Sequence, residues 1–141
     1  MMATHIAYIL KQQLGLKKGD TYIHLFCGNS VGDVALRLAS VMIGTVPVTI
    51  NWDSDPVDRI VYKIRSSGAQ VVIVQPQTPT EQIDAVKSNA SDVKIISIET
   101  MTSNYEDGPF LEPSQFEASL VEEDTRIIIY TSGKENVRLH V

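Results

Sequence analysis

TYIHLFCGNSVGDVALRLASVMIGTVPVTI, residues 21–50, reads as strand, helix, strand. Thr21 to Cys27 forms the first strand, with Ile23, Leu25 and Cys27 on one face. Asn29 or Ser30 caps the helix, and Asp33 lies near its positive end. Val31, Val34, Ala35, Leu38 and Met42 give that helix an apolar stripe, and Gly44 ends it. Val46 to Ile50 is the second strand, and Pro47 places its start near a sheet edge or a loop.

The same alternation continues outward on both sides. Upstream, Ile6, Ile9, Leu10 and Leu14 recur at helical spacing, Gly15 follows as a stop, and Gly19-Asp20 makes a turn. Downstream, Asp55-Pro56 predicts a helix start, with Asp55 as cap, Pro56 at the first helical position and Asp58 in the first turn. Val57, Ile60, Val61 and Ile64 form its stripe, and Gly68 closes it. Val71 to Val74 is continuously apolar, the pattern of a strand buried on both faces. Thr80 caps a weaker helix carrying Ile83 and Val86. Val93 to Ile98 is a fourth strand, and Met101 to Pro113 a polar, turn-rich loop. Pro113 to Leu120 holds a short helix, and Arg126 to Tyr130 is a fifth strand. Strands separated by helices of this length imply right-handed crossovers and a doubly wound, mostly parallel α/β sheet in a single domain.

Composition excludes several classes. The chain has 141 residues, 43% hydrophobic and 21% charged, the balance of a globular domain. Its net charge is −5, and no basic run is longer than Lys17-Lys18. That argues against a nucleic-acid surface, which needs clustered cations. Wholly apolar runs reach about four residues, far from the ~20 that cross a bilayer. One cysteine and three scattered histidines make neither a disulfide framework nor a zinc set. With no signal-peptide pattern, the expected location is the cytoplasm.

Thr131-Ser132-Gly133-Lys134 directly follows the fifth strand. Hydroxyls, a flexible glycine and a lysine are the groups a phosphate-binding loop uses. The context of this loop is ordered. Leu14-Gly15-Leu16-Lys17-Lys18-Gly19-Asp20 precedes a strand, and Gly28-Asn29-Ser30 precedes a helix ending at Gly44. Gly44-Thr45-Val46-Pro47-Val48 with Asn51, then Ser67-Gly68-Ala69-Gln70-Val71-Val72-Ile73, then Glu122-Glu123-Asp124-Thr125 follow in turn. This series resembles the start of the AMP-binding, acyl-adenylate-forming enzymes: acyl-CoA synthetases, luciferases and nonribosomal adenylation domains. The resemblance implies that residues 1–141 are a partial N-terminal subdomain of that family, with a degenerate phosphate-loop tail at 131–141.

In the family the loop reads T-S-G-T-T-G-x-P-K-G-V and wraps the phosphates of ATP. The resemblance therefore assigns Thr131, Ser132 and Gly133 to ATP phosphate, and Lys134 to no secure position. The second Thr pair, the second Gly and the Pro-Lys-Gly are absent in register, and Glu135 sets a negative charge where a triphosphate would lie. ATP, Mg and CoA are implied by the family alone, and no catalytic or metal residue can be carried over. The expectation is a truncated or fragmentary homologue of ATP-dependent carboxylate-activating ligases, inactive by itself. Two alternatives stand beside it. One is an interaction domain that completes a split site with a second copy or a complementing subunit. The other is a residual nucleotide- or anion-binding module.

Other polar candidates have simpler readings. Asp53, Asp55 and Asp58 lack the Gly and distal Glu of a calcium loop, and helix capping explains them. Gly28-Asn29-Ser30-Val31-Gly32 lacks the dinucleotide fingerprint, and turning and capping explain it. His24 reads as a half-buried structural histidine, and Cys27 as a small buried hydrophobe. Trp52 is a packing anchor or an interface residue.

Overall fold

The computed structural model describes residues 1–121 and 123–130 and, for residues 136–140, the backbone. Five helices alternate with strands: α1 (Met2–Tyr8), β1 (Thr21–Phe26), α2 (Val31–Ile43), β2 (Val46–Asn51), α3 (Val57–Ser67), β3 (Val71–Val74), α4 (Thr80–Asn89), β4 (Lys94–Ser97), α5 (Ile98–Thr102), β5 (Thr125–Tyr130) and β6 (Asn136–His140). They form one six-stranded sheet in the order β4-β3-β1-β2-β5-β6. All pairings are parallel except the last, in which β6 returns antiparallel to β5 with Tyr130 opposite Asn136. The doubly wound, mostly parallel α/β reading therefore holds. Strand β6 falls within the tail that the sequence reading treated as loop.

Right-handed crossovers divide the helices between the two faces. The chain steps from β1 to β2 through α2, then back across β1 to β3 through α3, then outward to β4 through α4. One core joins α1, α2 and α5 to Tyr22, Val71 and Ile73. The other joins α3 and α4 to Ile23, Leu25, Val48, Ile50 and Val72. Strand β3 is buried along its whole length, as its uninterrupted valine-isoleucine run requires. Helix α1 runs on through a π-turn, Ile9–Gln13, and Gly15 then turns at φ +70°.

Several local expectations are corrected. Strand β2 is central and not at an edge; Pro47 lies opposite Tyr22 of β1, one residue before the pairing to β5 begins at Val48. Asp55 does not cap α3. Pro56 occupies the N-cap position without a side-chain cap, and Asp55 Oδ2 instead accepts from Lys63 Nζ at 2.5 Å. A buried ammonium requires a counter-charge, and Asp55 supplies it. Pro79, not Thr80, sits at the N-cap of α4. Residues 98–102, where a strand end and a loop were expected, form α5, because Ile98 and Met101 bury against α1 and α2. The segment Pro113 to Leu120 carries only a 3₁₀ turn, Pro113–Gln115.

The largest correction concerns α2. Its buried face carries Asp33, Ala35, Leu36, Ala39, Ser40 and Ile43. Of the stripe expected to face the core, only Ala35 is buried; Val31, Val34 and Leu38 are 75%, 48% and 51% exposed. The core-facing side of α2 holds polar groups because β1 offers them partners.

Candidate functional site

In a parallel sheet, ligand sites form beyond the carboxyl ends of the strands, where neighbouring connections leave toward opposite faces. Here that place is between β1 and β3, since α2 leaves β1 toward one face and α4 leaves β3 toward the other. A surface crevice of about 540 Å³ opens there. Its walls are the loop from Cys27 to Asp33, residues Gln75 to Gln77, and Glu99 and Thr102 of α5. Gly28 makes the turn out of β1 at φ +72°, in the left-handed region that favours glycine. Ser30 then caps α2: its hydroxyl accepts from the Asp33 N–H, while Asp33 accepts from the Ser30 N–H.

Gln75 knots the three strand ends together. Its Oε1 accepts from the Cys27 N–H at 2.8 Å and from the Trp52 indole N–H at 2.9 Å. Its Nε2 donates to Gly28 O at 3.2 Å and to Asp33 Oδ2 at 2.9 Å. One amide thereby uses both ends, each twice, to hold β1, β2 and β3 in register at the crevice floor.

Asp33 is fully buried and is the hub of the floor. Oδ1 accepts from His24 Nε2 at 2.7 Å; Oδ2 accepts from the Ser30 N–H, the Ser30 hydroxyl and Gln75. Burial opposes its ionisation, yet the hydrogen bonds from His24, Ser30 and Gln75 hold its pKa well below the usual carboxylate range. For His24, burial is the largest influence and pushes the pKa down, against the upward pull of Asp33. The pair is therefore a neutral imidazole donating Nε2–H to a carboxylate. His24 Nδ1 has no hydrogen-bond partner among the described residues. The ring stacks on Phe26 at 4.7 Å, and the Arg37 guanidinium lies 4.9 Å over the Phe26 ring. One turn along α2, the Tyr22 hydroxyl bonds the Ser40 hydroxyl, and burial raises the Tyr22 pKa strongly.

At the other side of the same edge, β5 ends at Tyr130. Its hydroxyl bonds Ser66 Oγ at 2.6 Å, and Lys63 Nζ lies 5.5 Å over its ring. Trp52 packs over the α3–α4 core and accepts through its carbonyl from Gln82 Nε2 at 2.8 Å. Tyr130 is thus held by α3, and Trp52 by α4 and β3, at the point where the chain passes to residue 131.

The sequence matches the AMP-binding enzyme family over residues 1–134. The chain belongs to that family. The N-terminal domain of FACL13 from Mycobacterium tuberculosis superposes with a TM-score of 0.82 at 26% identity, covering 99% of this chain and 35% of that one. A Mycobacterium tuberculosis fatty acyl CoA synthetase gives 0.80 at 26% identity, covering 99% and 27%. The anthranilate CoA ligase AuaEII, in complex with anthranoyl-AMP, shares the fold with a TM-score of 0.80 at 20% identity, covering 97% and 27%. The chain spans about a third or less of the length of these relatives. No curated protein matches the chain at a significant level.

Within this AMP-binding unit, Thr131, Ser132, Gly133 and Lys134 lie outside the described residues. The structure fixes what flanks them: Tyr130 and Asn136 are paired neighbours at the end of the β5–β6 ladder. His5, His24 and the backbone of His140 are not brought together; His5 Nδ1 bonds Pro109 O, and His24 bonds Asp33. His24 is wholly buried where half-burial was expected, and Cys27 is partly exposed where burial was expected. No metal-ligating cluster occurs among the described residues, and the Asp53–Asp58 group is split by the Asp55–Lys63 bond. Among the described residues, no helix is long and apolar enough to cross a membrane.

Sequence reasoning missed Asp33 as a hub and Gln75 as a knot. The spacing Ser30-x-x-Asp33 was a legible capping signal. Its pairing with His24, nine residues upstream, required the β1–α2 packing to be known.

Proposed function

We propose that these residues form the first part of an ATP-dependent carboxylate-activating domain, and that the 141-residue chain does not complete the reaction unaided. The observation that carries this reading is the family match itself. It runs through all five parallel strands to residue 134, and the whole chain covers only 35% of a relative's N-terminal domain. Thr131, Ser132 and Gly133 would donate hydrogen bonds to ATP phosphate. Thr125–Tyr130 and Asn136–His140 anchor the two ends of that segment in the sheet.

The switch-point crevice does not fit a polyphosphate. Among the described residues neither lysine nor arginine lines it, and both Asp33 and Glu99 would repel phosphate. Lys63, the buried cation at the same edge, is neutralised by Asp55. These charges favour the reading in which the nucleotide belongs to the segment after β5 and the crevice braces that edge. The similarity to a Mycobacterium tuberculosis fatty acyl CoA synthetase, at 26% identity, supports a carboxylic acid as co-substrate. The full reaction joins the carboxylate to AMP with release of pyrophosphate, and a thiol then displaces AMP.

ATP–pyrophosphate exchange with a panel of carboxylic acids tests the proposal. The purified chain is expected to show no exchange above background. Robust exchange by these 141 residues would overturn it.

A further inference from the structure

Three hydrogen bonds run in series from the inside of the sheet to its carboxyl edge. His24 Nε2–H donates to Asp33 Oδ1 at 2.7 Å, Gln75 Nε2–H donates to Asp33 Oδ2 at 2.9 Å, and the Trp52 indole N–H donates to Gln75 Oε1 at 2.9 Å. They join β1, α2, β3 and the residue after β2. Asp33 and Gln75 also fix the crevice wall, by accepting from the Ser30 N–H and the Cys27 N–H. The buried end of the series is a histidine, the side chain whose ordinary titration falls near neutral pH.

The surroundings of His24 suit the neutral ring. Its side chain is 1% exposed. Asp33 occupies Nε2, and Nδ1 has no partner among the described residues. Phe26 stacks on the ring at 4.7 Å. Its strand partners, Thr49 of β2 and Ile73 of β3, carry no charge. From α2, Asp33 favours the protonated ring and Arg37 opposes it, while Tyr22, two residues back on β1, is kept neutral by burial. A proton added at Nδ1 would therefore make a buried N–H with no acceptor, an arrangement that folded proteins avoid. Water reaches that nitrogen when the first turn of α2 lifts from β1. Asp33 pins that turn, whereas Leu36, Ala39, Ser40 and Ile43 bury the rest of the helix. Lifting it breaks the Asp33–Gln75 bond, and the amide that holds Cys27 and Trp52 loses its anchor.

We propose that His24, Asp33, Gln75 and Trp52 form a proton-operated latch: protonation of His24 frees the first turn of α2, opens the crevice between β1 and β3 and releases Trp52, while the rest of the fold stays intact. The closed form takes up the proton poorly, because burial lowers the His24 pKa, and the open form takes it up at the ordinary value of about 6.5. Acid therefore favours the open form, by up to roughly tenfold for each pH unit below that value. The latch does not depend on the nucleotide reading.

The 141-residue chain tests this with Trp52, its single tryptophan, as reporter. From about pH 8 to about pH 5 the emission maximum should move to the red with a one-proton midpoint below about 6.5, while far-ultraviolet circular dichroism stays constant. The His24 ring protons, followed by nuclear magnetic resonance, should titrate with the same midpoint. His24→Gln keeps an amide donor for Asp33 and cannot gain the proton, so its emission should stay fixed over that range. Cys27, the single cysteine, lines the crevice and supplies a readout should His24→Gln fail to fold. Its rate of reaction with a neutral disulfide reagent, divided by the rate in the urea-unfolded chain at each pH, should rise at least roughly fivefold from about pH 7 to about pH 5. Four results would each overturn the proposal: Trp52 emission or a Cys27 rate ratio that does not respond to pH, a red shift that persists in His24→Gln, a His24 midpoint unlike that of Trp52, or a red shift that coincides with loss of the helical signal, which is global unfolding.

Discussion

Replacing Asp33 by alanine tests whether the crevice floor is held by one carboxylate. In the structure it accepts four hydrogen bonds, from His24 Nε2, the Ser30 N–H, the Ser30 hydroxyl and Gln75 Nε2. The Ser30 groups are near solvent and can turn to water. The His24 and Gln75 donors are buried, and each left without an acceptor costs about 1–3 kcal/mol. Loss of the capping box adds about 1 kcal/mol. These contributions share one network and do not simply add, so the expected loss is about 3–5 kcal/mol. Against a total stability of roughly 5–15 kcal/mol, the variant should be marginally folded. At about 2–4 °C per kcal/mol, its midpoint should fall by roughly 10–15 °C. Asp33→Asn keeps the shape but turns an amide N–H toward donors that now need an acceptor, so about 2–3 kcal/mol should be lost. Urea titration followed by far-ultraviolet circular dichroism gives both values. If both variants stay within about 1 kcal/mol of the parent, the network is not what holds α2 on β1, and the argument fails.

Acid should destabilise the fold in two stages. The lowered pKa of buried His24 means that the unfolded chain binds its proton more readily, so stability falls as pH drops below about 6.5, the unfolded value. The lowered pKa of Asp33 adds stability that is complete above its unfolded value of about 3.9 and is lost as pH falls below it. Both signs agree, so the midpoint should decline from pH 7 to pH 4, and His24→Asn should flatten the upper stage in a pH series of urea titrations. Gln75→Ala removes the indole partner of Trp52, the single tryptophan, and should shift its fluorescence to the red while costing about 2–4 kcal/mol. Gly44→Ala should cost about 1–2 kcal/mol by thermal melt, because φ is +76° and a Cβ would stand 3.0 Å from Leu120 Cδ2.

What the sequence shows depends on how local the cause is. Gly44 and Gly68 end α2 and α3 in the left-handed conformation that their identity demands, and Val71–Val74 buries as its composition requires. These features need only neighbours in the chain. Asp55 misleads because two local roles compete with a distant one. It stands directly before Pro56, as a cap would, yet Lys63 is buried two turns later and claims its carboxylate. Helix α2 misleads more deeply. Its strongest apolar spacing marks an outward row, while its inward face carries Asp33 and Ser40 because His24 and Tyr22 meet them from β1. Periodicity identifies an apolar stripe but not what covers it, and a helix with two such sides satisfies the pattern in either orientation.

The same ambiguity bears on the candidate site. A phosphate loop is recognised by residues that need no partner, so Thr131 to Gly133 stand out in the sequence. The structure contributes the reason such a segment can be positioned at all. Tyr130 is tied to α3 through Ser66 and Lys63, Lys63 is neutralised by Asp55, and Trp52 is tied to β3 through Gln75. Gln75 in turn reaches Asp33 and the β1 loop. The ends of β1, β2 and β3 thus share one polar frame, and α3 carries it to the edge beside β5. Buried charge at this edge is consumed internally by Asp55–Lys63 and His24–Asp33, and among the described residues no cation lines the crevice. On the proposed reading, this braced edge is the frame for a phosphate site in the segment after β5.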